Sequence, residues 1–117
     1  MQNNTFSIAV LGAGNIGSAV LTRLQELDDK VLKLDLKKVL VSDTSKDRGV
    51  SKDLLTDNFD DILNDDSIDL VIEVLGGVDP GKEYIKSLLE KGKAVITANK
   101  DIIADCGQEL ITLAEEN

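Results

Sequence analysis

The sequence predicts an α/β fold: a single domain in which a parallel sheet is doubly wound by helices, giving three layers. Three observations carry this. Apolar runs of strand length alternate with segments whose apolar residues recur at helical spacing, an order that favours parallel strands with crossover helices. The first run passes directly into a helical pattern through the glycine-rich turn Gly12-Ala13-Gly14-Asn15-Ile16-Gly17. The 117 residues suffice for one core, and no repeat, low-complexity stretch or linker divides them.

In chain order, Phe6 to Leu11 is the first strand, and Asn15 to Asp28 the first helix, with Ile16, Val20, Leu24 and Leu27 on one face. Asp35 to Ser42 reads as the second strand. Asp43 to Lys52 is polar and contains Gly49, a loop or a weak helix, and Leu54-Leu55-Thr56 is a short edge strand. Asp57 or Asn58 then caps a short helix carrying Phe59, Ile62 and Leu63. Ile68 to Leu75 is the clearest later strand. Asp79 as N-cap with Pro80 at the first helical position starts a helix that runs to about Lys91, where Gly92 stops it. Lys93 to Thr97 is the fifth strand, and a last helix spans Cys106 to Glu116.

Composition narrows the function classes. A net charge of −9 argues against nucleic acid and against anionic membrane surfaces as partners. No apolar run approaches the ~20 residues that span a bilayer. Met1 to Thr5 lacks the basic and apolar regions of a secretion signal. The single Cys106 suits a reducing, cytoplasmic setting. With no histidine and one cysteine, neither a histidine base nor a thiolate zinc site is available, and no metal site is expected. An anionic ligand must therefore be held locally, by backbone amides and a helix end.

The Gly12–Gly17 segment has the G-x-G-x-x-G spacing, between a strand and a helix, of Rossmann-type dinucleotide-binding turns. Gly12 permits the tight turn, Gly14 lets the backbone approach a pyrophosphate, and Gly17 lets helix and strand pack closely. Amides and dipole at the helix start then favour the phosphates. The competing reading is a tight β–α turn with no ligand. In open α/β sheets ligands lie outside the carboxyl ends of the strands, here Leu11, Ser42, Leu75 and Thr97.

After the second strand, Ser42-Asp43 offers an acid to the adenosine ribose, somewhat beyond the usual ~20-residue spacing. That acid favours NAD, although Lys46 and Arg48 nearby could hold the extra phosphate of NADP, and Asp43 also reads as a loop aspartate capping a turn. After the fourth strand, Leu75-Gly76-Gly77 suggests backbone lying close to a ligand, or else a plain turn. Glu73, inside that apolar strand, needs hydrogen bonds to be tolerated; it orients a loop or substrate group, or faces an opening at the sheet edge. After the fifth strand, Thr97-Ala98-Asn99-Lys100 brings a lysine that could reach a substrate oxygen, or is simply a solvated charge.

These residues resemble a known family. Gly12 to Gly17, then Val74-Leu75-Gly76-Gly77-Val78-Asp79-Pro80, then Gly92 through Lys100, and the end Gly107 to Asn117 are similar to the cofactor-binding domain of homoserine dehydrogenase. The likeness covers nearly the whole chain. Paired glycines before Asp79-Pro80, combined with Thr97-Ala98-Asn99-Lys100, are its most specific part. The resemblance implies an oxidoreductase that interconverts L-homoserine and L-aspartate 4-semialdehyde with NAD or NADP, in threonine and methionine synthesis. It implies Lys100 as the active-site lysine. Thr97, Ala98 and Asn99 would line the nicotinamide side, and Gly76 and Gly77 would border the cofactor.

Many bacterial members carry an arginine where this chain has Ser42, so Ser42 beside Asp43 weakens the case for NADP. The family's enzyme continues into a substrate and dimerisation domain that supplies a second lysine and acidic substrate ligands. The expectation is thus a cofactor domain over residues 1–117, inactive alone, of a homo-oligomeric enzyme acting on a small amino acid. The alternatives are a dehydrogenase for another small carbonyl substrate and a non-enzymatic nucleotide-sensing module, which has no need of Lys100.

Overall fold

A computed structural model describes residues 5–12, 17, 19, 33–46, 50–97 and 99–117. Five strands, β1 (Thr5–Leu11), β2 (Lys33–Leu40), β3 (Leu55–Thr56), β4 (Leu70–Glu73) and β5 (Ala94–Thr97), form one sheet in the order β3-β2-β1-β4-β5. Every pairing is parallel. The chain steps outward from β1 to β3, then crosses back to β4 on the other side of β1. The order therefore reverses between β1 and β4, the place where a crevice opens in such sheets.

Side chains alternate across the sheet, and each face has its own core. On one face Ala9, Leu11 and Val71 pack with Ile62 of α1 (Asp60–Leu63) and Leu88 of α2 (Gly81–Glu90). Phe59 and Tyr84 stack there, with ring centroids 4.0 Å apart. Ile102 and Leu110 of α3 (Lys100–Glu116) extend this layer against Ile85 and Leu89. On the opposite face Val10, Val39, Val41 and Leu55 form a second cluster with Ile72 and Val74. Helical Gly17 lies against Val74 on that face. Helical segments thus flank both faces, and the doubly wound α/β arrangement holds. The first helix, expected over Asn15 to Asp28, otherwise lies outside the described residues, apart from Ala19.

Several boundaries differ from expectation for identifiable reasons. β2 runs Lys33–Leu40 rather than Asp35 to Ser42: its pairing with β1 extends from Thr5↔Lys33 to Leu11↔Leu40, and past the bond that Gly12 N–H donates to Leu40 O, β1 gives way to the glycine turn. β4 is shorter than Ile68 to Leu75, because Leu75 N–H is bound by the Glu73 side chain instead of the neighbouring strand. Leu54 belongs to a 3-10 turn (Lys52–Leu54), leaving Leu55 and Thr56 as the edge strand. The N-cap of α1 is Phe59, although Asn58 Oδ1 accepts from the Asp60 N–H. Pro80, not Asp79, is the N-cap of α2, following a cis Asp79–Pro80 bond. The Val78 carbonyl receives Lys82 N–H, so backbone rather than the Asp79 carboxylate satisfies that helix start.

Gly92 (φ +82°) ends α2 as expected: Gly92 N–H bonds Leu89 O and Lys93 N–H bonds Leu88 O, a Schellman closure. That closure also delays β5 to Ala94. The largest correction is α3, which begins at Lys100 and not at Cys106. Asn99 Oδ1 accepts from Asp101 and Ile102 N–H, so Asn99 is a true N-cap. Among the described residues no helix is long and apolar enough to cross a membrane.

Candidate active site at the carboxyl edge of the sheet

The first glycine turn is packed closely against the chain that leaves β4. Gly12 has φ +102°, in the region that disfavours side chains. A Cβ there would come within 3.1 Å of Val74 O and 3.2 Å of the Leu75 side chain. The turn after β1 is thus pressed against the chain leaving β4. Gly17 allows the helix to close on that turn: a Cβ there would lie 2.7 Å from Gly12 O and 3.3 Å from Val74 Cγ2. The third glycine of the motif serves close helix–strand packing, as its spacing predicts. Ala13, Gly14, Asn15 and Ile16 lie outside the described residues.

Beyond β2, Ser42 is exposed and Asp43 half-buried. Asp43 Oδ1 accepts from Ser45 N–H at 2.9 Å and from the Ser45 hydroxyl. Asp43 therefore shapes its own turn, the local role that a loop aspartate commonly takes. Lys46 is exposed, and Arg48 lies outside the described residues.

Beyond β4, Leu75 is half-buried, and Gly76 and Gly77 are exposed with φ +83° and +69°. A Cβ on either would meet nothing within 4 Å, so backbone conformation and not crowding asks for glycine there. Among the described residues nothing fills the space in front of these two glycines.

Beyond β5, Thr97 is half-buried, Asn99 buried and Lys100 exposed as the first residue of α3, while Ala98 lies outside the described residues. The carboxyl ends of β4 and β5 are tied together by Glu73, which is 0% exposed. Glu73 Oε2 accepts from Leu75 N–H at 2.9 Å and from Asn99 Nδ2 at 3.4 Å; Oε1 accepts from the Thr97 hydroxyl. Asn99 Nδ2 also donates to Gly77 O, and Asn99 N–H donates to Thr97 Oγ1 at 3.0 Å.

One more residue completes this arrangement. Gly81, buried at the first position of α2, leaves room for the carboxyl group: a Cβ there would lie 3.0 Å from Glu73 Oε2 and 2.9 Å from Ile102 Cδ1. The amino ends of α2 and α3 thus flank the buried Glu73, where helix dipoles favour negative charge. Sequence reading passed over Gly81, although a glycine in the first turn of a helix is itself a sign of close approach. The sequence leaves Glu73 open between orienting a loop or substrate group and facing an opening at the sheet edge; its full burial and its bonds to Leu75, Thr97 and Asn99 tie it to the segments after β4 and β5. Of the expected site residues, the structure gathers Gly12, Gly17, Leu75, Gly76, Gly77, Thr97, Asn99 and Lys100 on one sheet edge. Among the described residues no cluster of His, Cys, Asp or Glu is placed to hold a metal ion.

The family model described as the homoserine dehydrogenase NAD-binding domain matches residues 12–117. The chain belongs to that family. Homoserine dehydrogenase of Bacillus subtilis is 41% identical over 94% of this chain, and that of Mycobacterium leprae 40% identical over 97%. In each case the match spans 27% of the relative, so the chain corresponds to about a quarter of the length of these relatives. The crystal structure of the S. aureus homoserine dehydrogenase at pH 8.5 superposes with a TM-score of 0.89 at 38% identity, covering 98% of this chain and 31% of that one. An archaeal homoserine dehydrogenase in complex with NADPH shares the fold, with a TM-score of 0.77 at 21% identity.

Proposed function

We propose that this chain is the cofactor-binding domain of an oxidoreductase that interconverts L-homoserine and L-aspartate 4-semialdehyde with NAD or NADP. The observation that supports this most is the meeting of Gly12, Gly17, Gly76, Gly77, Thr97, Asn99 and Lys100 along one edge, in a chain of the homoserine dehydrogenase family. The edge fits a dinucleotide. Gly12 and Gly17 draw a helix start onto the turn, and the space in front of Gly76 and Gly77 is open to a ligand.

In this reading the amides of the Gly12–Gly17 turn hold the pyrophosphate, and Ser42 and Asp43 face the adenosine ribose. The acid at Asp43 favours NAD over NADP. Gly76, Gly77, Thr97 and Asn99 border the nicotinamide end. When bound, the nicotinamide ring supplies the hydride acceptor for homoserine oxidation and the hydride donor for the reverse. Lys100, exposed at the start of α3, reaches toward the reacting oxygen. It holds that oxygen by a hydrogen bond and helps its proton leave in oxidation or arrive in reduction. Substrate carboxylate and ammonium groups are held by residues outside these 117, and the assembled enzyme is a cytoplasmic homo-oligomer.

Lys100→Ala in the full-length enzyme tests this reading. The expected result is turnover lowered by about 100-fold or more with NAD affinity kept within about twofold, since general acid–base groups contribute ~10²–10⁴. Unchanged turnover overturns the role of Lys100, whereas a full-length protein that binds NAD and shows no homoserine oxidation at all favours a nucleotide-sensing module. The 117-residue chain itself is expected to show no homoserine oxidation, and clear turnover would contradict that.

A further inference from the structure

The carboxyl group of Glu73 is the one feature of this edge that the proposed reaction leaves without a task. We propose that Glu73 is a positioning residue that sets the nicotinamide end of the site, by clamping the segments after β4 and β5 at one spacing. The inference rests on the reading of this edge as a dinucleotide site.

Three segments meet on this one side chain. Its Oε2 holds Leu75 N–H, the residue that leads into Gly76 and Gly77. Its Oε1 holds the hydroxyl of Thr97, which stands opposite Glu73 in the β4–β5 register. Its Oε2 also receives Asn99 Nδ2, the same amide that donates to Gly77 O across the gap. Asn99 is then fixed from its other side, since its Oδ1 caps α3 and so directs the backbone at Lys100. Gly81 lets the start of α2 come down beside the carboxyl group, at a place where a Cβ would stand 3.0 Å from Oε2.

Among the described residues, nothing lies within 4 Å of where a Cβ on Gly76 or Gly77 would stand, and both have positive φ. Their place is therefore set by the bonds that flank them, Leu75 N–H to Glu73 and Gly77 O to Asn99. The adenosine half of the site is built from Gly12, Gly17, Ser42 and Asp43, and the hydrogen bonds described for Glu73 involve none of these. Leu75 also packs on Gly12, so Glu73 should govern chiefly the half of the ligand that faces Gly76, Gly77 and Asn99.

Glutamine at position 73 keeps the shape but cannot accept at both oxygens. Placing its carbonyl on Leu75 and Asn99 turns its amide toward Thr97, whose hydroxyl hydrogen loses its partner. The clamp loosens without a cavity.

The test compares two probes on the 117-residue chain by titration calorimetry: NAD, and ADP-ribose, which lacks the nicotinamide. The wild-type chain should bind NAD more tightly than ADP-ribose. Glu73→Gln should lower NAD affinity about fivefold or more and leave ADP-ribose affinity within about twofold. Asn99→Ser, which retains a helix cap and loses both Nδ2 bonds, should do the same, and it carries the test if Glu73→Gln does not fold. A merely structural role lowers both affinities together or neither, and either result overturns the inference while leaving the dinucleotide reading intact. The absence of any NAD advantage in the wild-type chain also overturns it. A wild-type chain that binds neither probe overturns the dinucleotide reading and the inference with it.

Discussion

Glu73 at the carboxyl end of the sheet and Lys93 at its amino end are both buried, 0% and 8% exposed. Both need several hydrogen bonds to be tolerated there. Their partners differ. Lys93 Nζ donates to the backbone carbonyls of Asp65 and Ile68, at 2.7 and 3.0 Å, and staples the segment between α1 and β4 to the start of β5. Glu73 instead collects donors from the segments that bound an open edge. At the closed end a buried charge serves stability alone. At the open end the same kind of expense also shapes loops that face a ligand. The contrast predicts that changes at the two ends separate stability from binding.

The largest effect is expected for Glu73→Ala. It leaves Leu75 N–H, the Thr97 hydroxyl and the Asn99 amide short of an acceptor in a buried place, at a cost on the order of 3 kcal/mol. A urea unfolding midpoint measures it, and NAD affinity should fall as well. Lys93→Met comes next. Two carbonyls lose a charged donor while the apolar stem is kept, so about 2 kcal/mol is expected. NAD affinity should stay within twofold at a temperature where the variant is folded. A loss of affinity there would erase the distinction between the two ends.

Gly81→Ala sharpens the comparison further. The new methyl would stand 3.0 Å from a Glu73 oxygen that three donors share across the carboxyl group, and only Ile102 Cδ1 can yield easily. We expect about 1 kcal/mol of destabilisation after the helix-propensity gain of alanine, with weaker NAD binding. A stabilised variant with unchanged binding would show that the carboxyl group is free to move.

The smallest effect lies at the closed end and depends on pH. Asp65 accepts from the Ser67 hydroxyl at 2.6 Å and from Ser67 N–H at 2.9 Å. The hydroxyl bond first, then the backbone bond, hold its carboxyl below the usual carboxylate range, with nearby Lys93 and Lys37 adding to this. A group whose folded value is lowered stabilises the fold above its unfolded value, and that stability is lost as pH falls through the folded one. Ser67→Ala should therefore lower the unfolding free energy by roughly a few tenths of a kcal/mol near neutral pH, as expected for a weak exposed hydrogen bond. The difference should vanish in acid. A difference that persists below the carboxylate range would assign the effect to something other than Asp65.

The sequence made the five strands and their parallel order legible, because apolar runs such as Ile8–Leu11 and Val71–Val74 stand apart from polar surroundings. It also showed which strand ends carry glycine and lysine. Helix α3 was harder to read. Gly107 weakens the helical pattern midway, yet Ile102, Leu110 and Leu113 pack on α2. Asn99 followed by Asp101 is a recognisable cap, but Thr97 to Lys100 reads equally as a loop until α2 is in place to support the helix. Glu73 and Gly81 could not be connected from sequence, since their contact depends on how α2 docks on the sheet. What is local was legible, and what depends on two elements meeting was not.

The central claim is that a nicotinamide dinucleotide occupies the carboxyl edge between β1 and β4. Titrating isotope-labelled chain with NAD and following amide signals tests it most directly. The account predicts that Gly12, Gly17, Gly76, Gly77 and the Asn99 side-chain amide shift together and saturate, while Lys93 and Ser67 at the other end stay in place. Shifts centred on Lys93 and Ser67, or no saturable shift at the glycines, would contradict it.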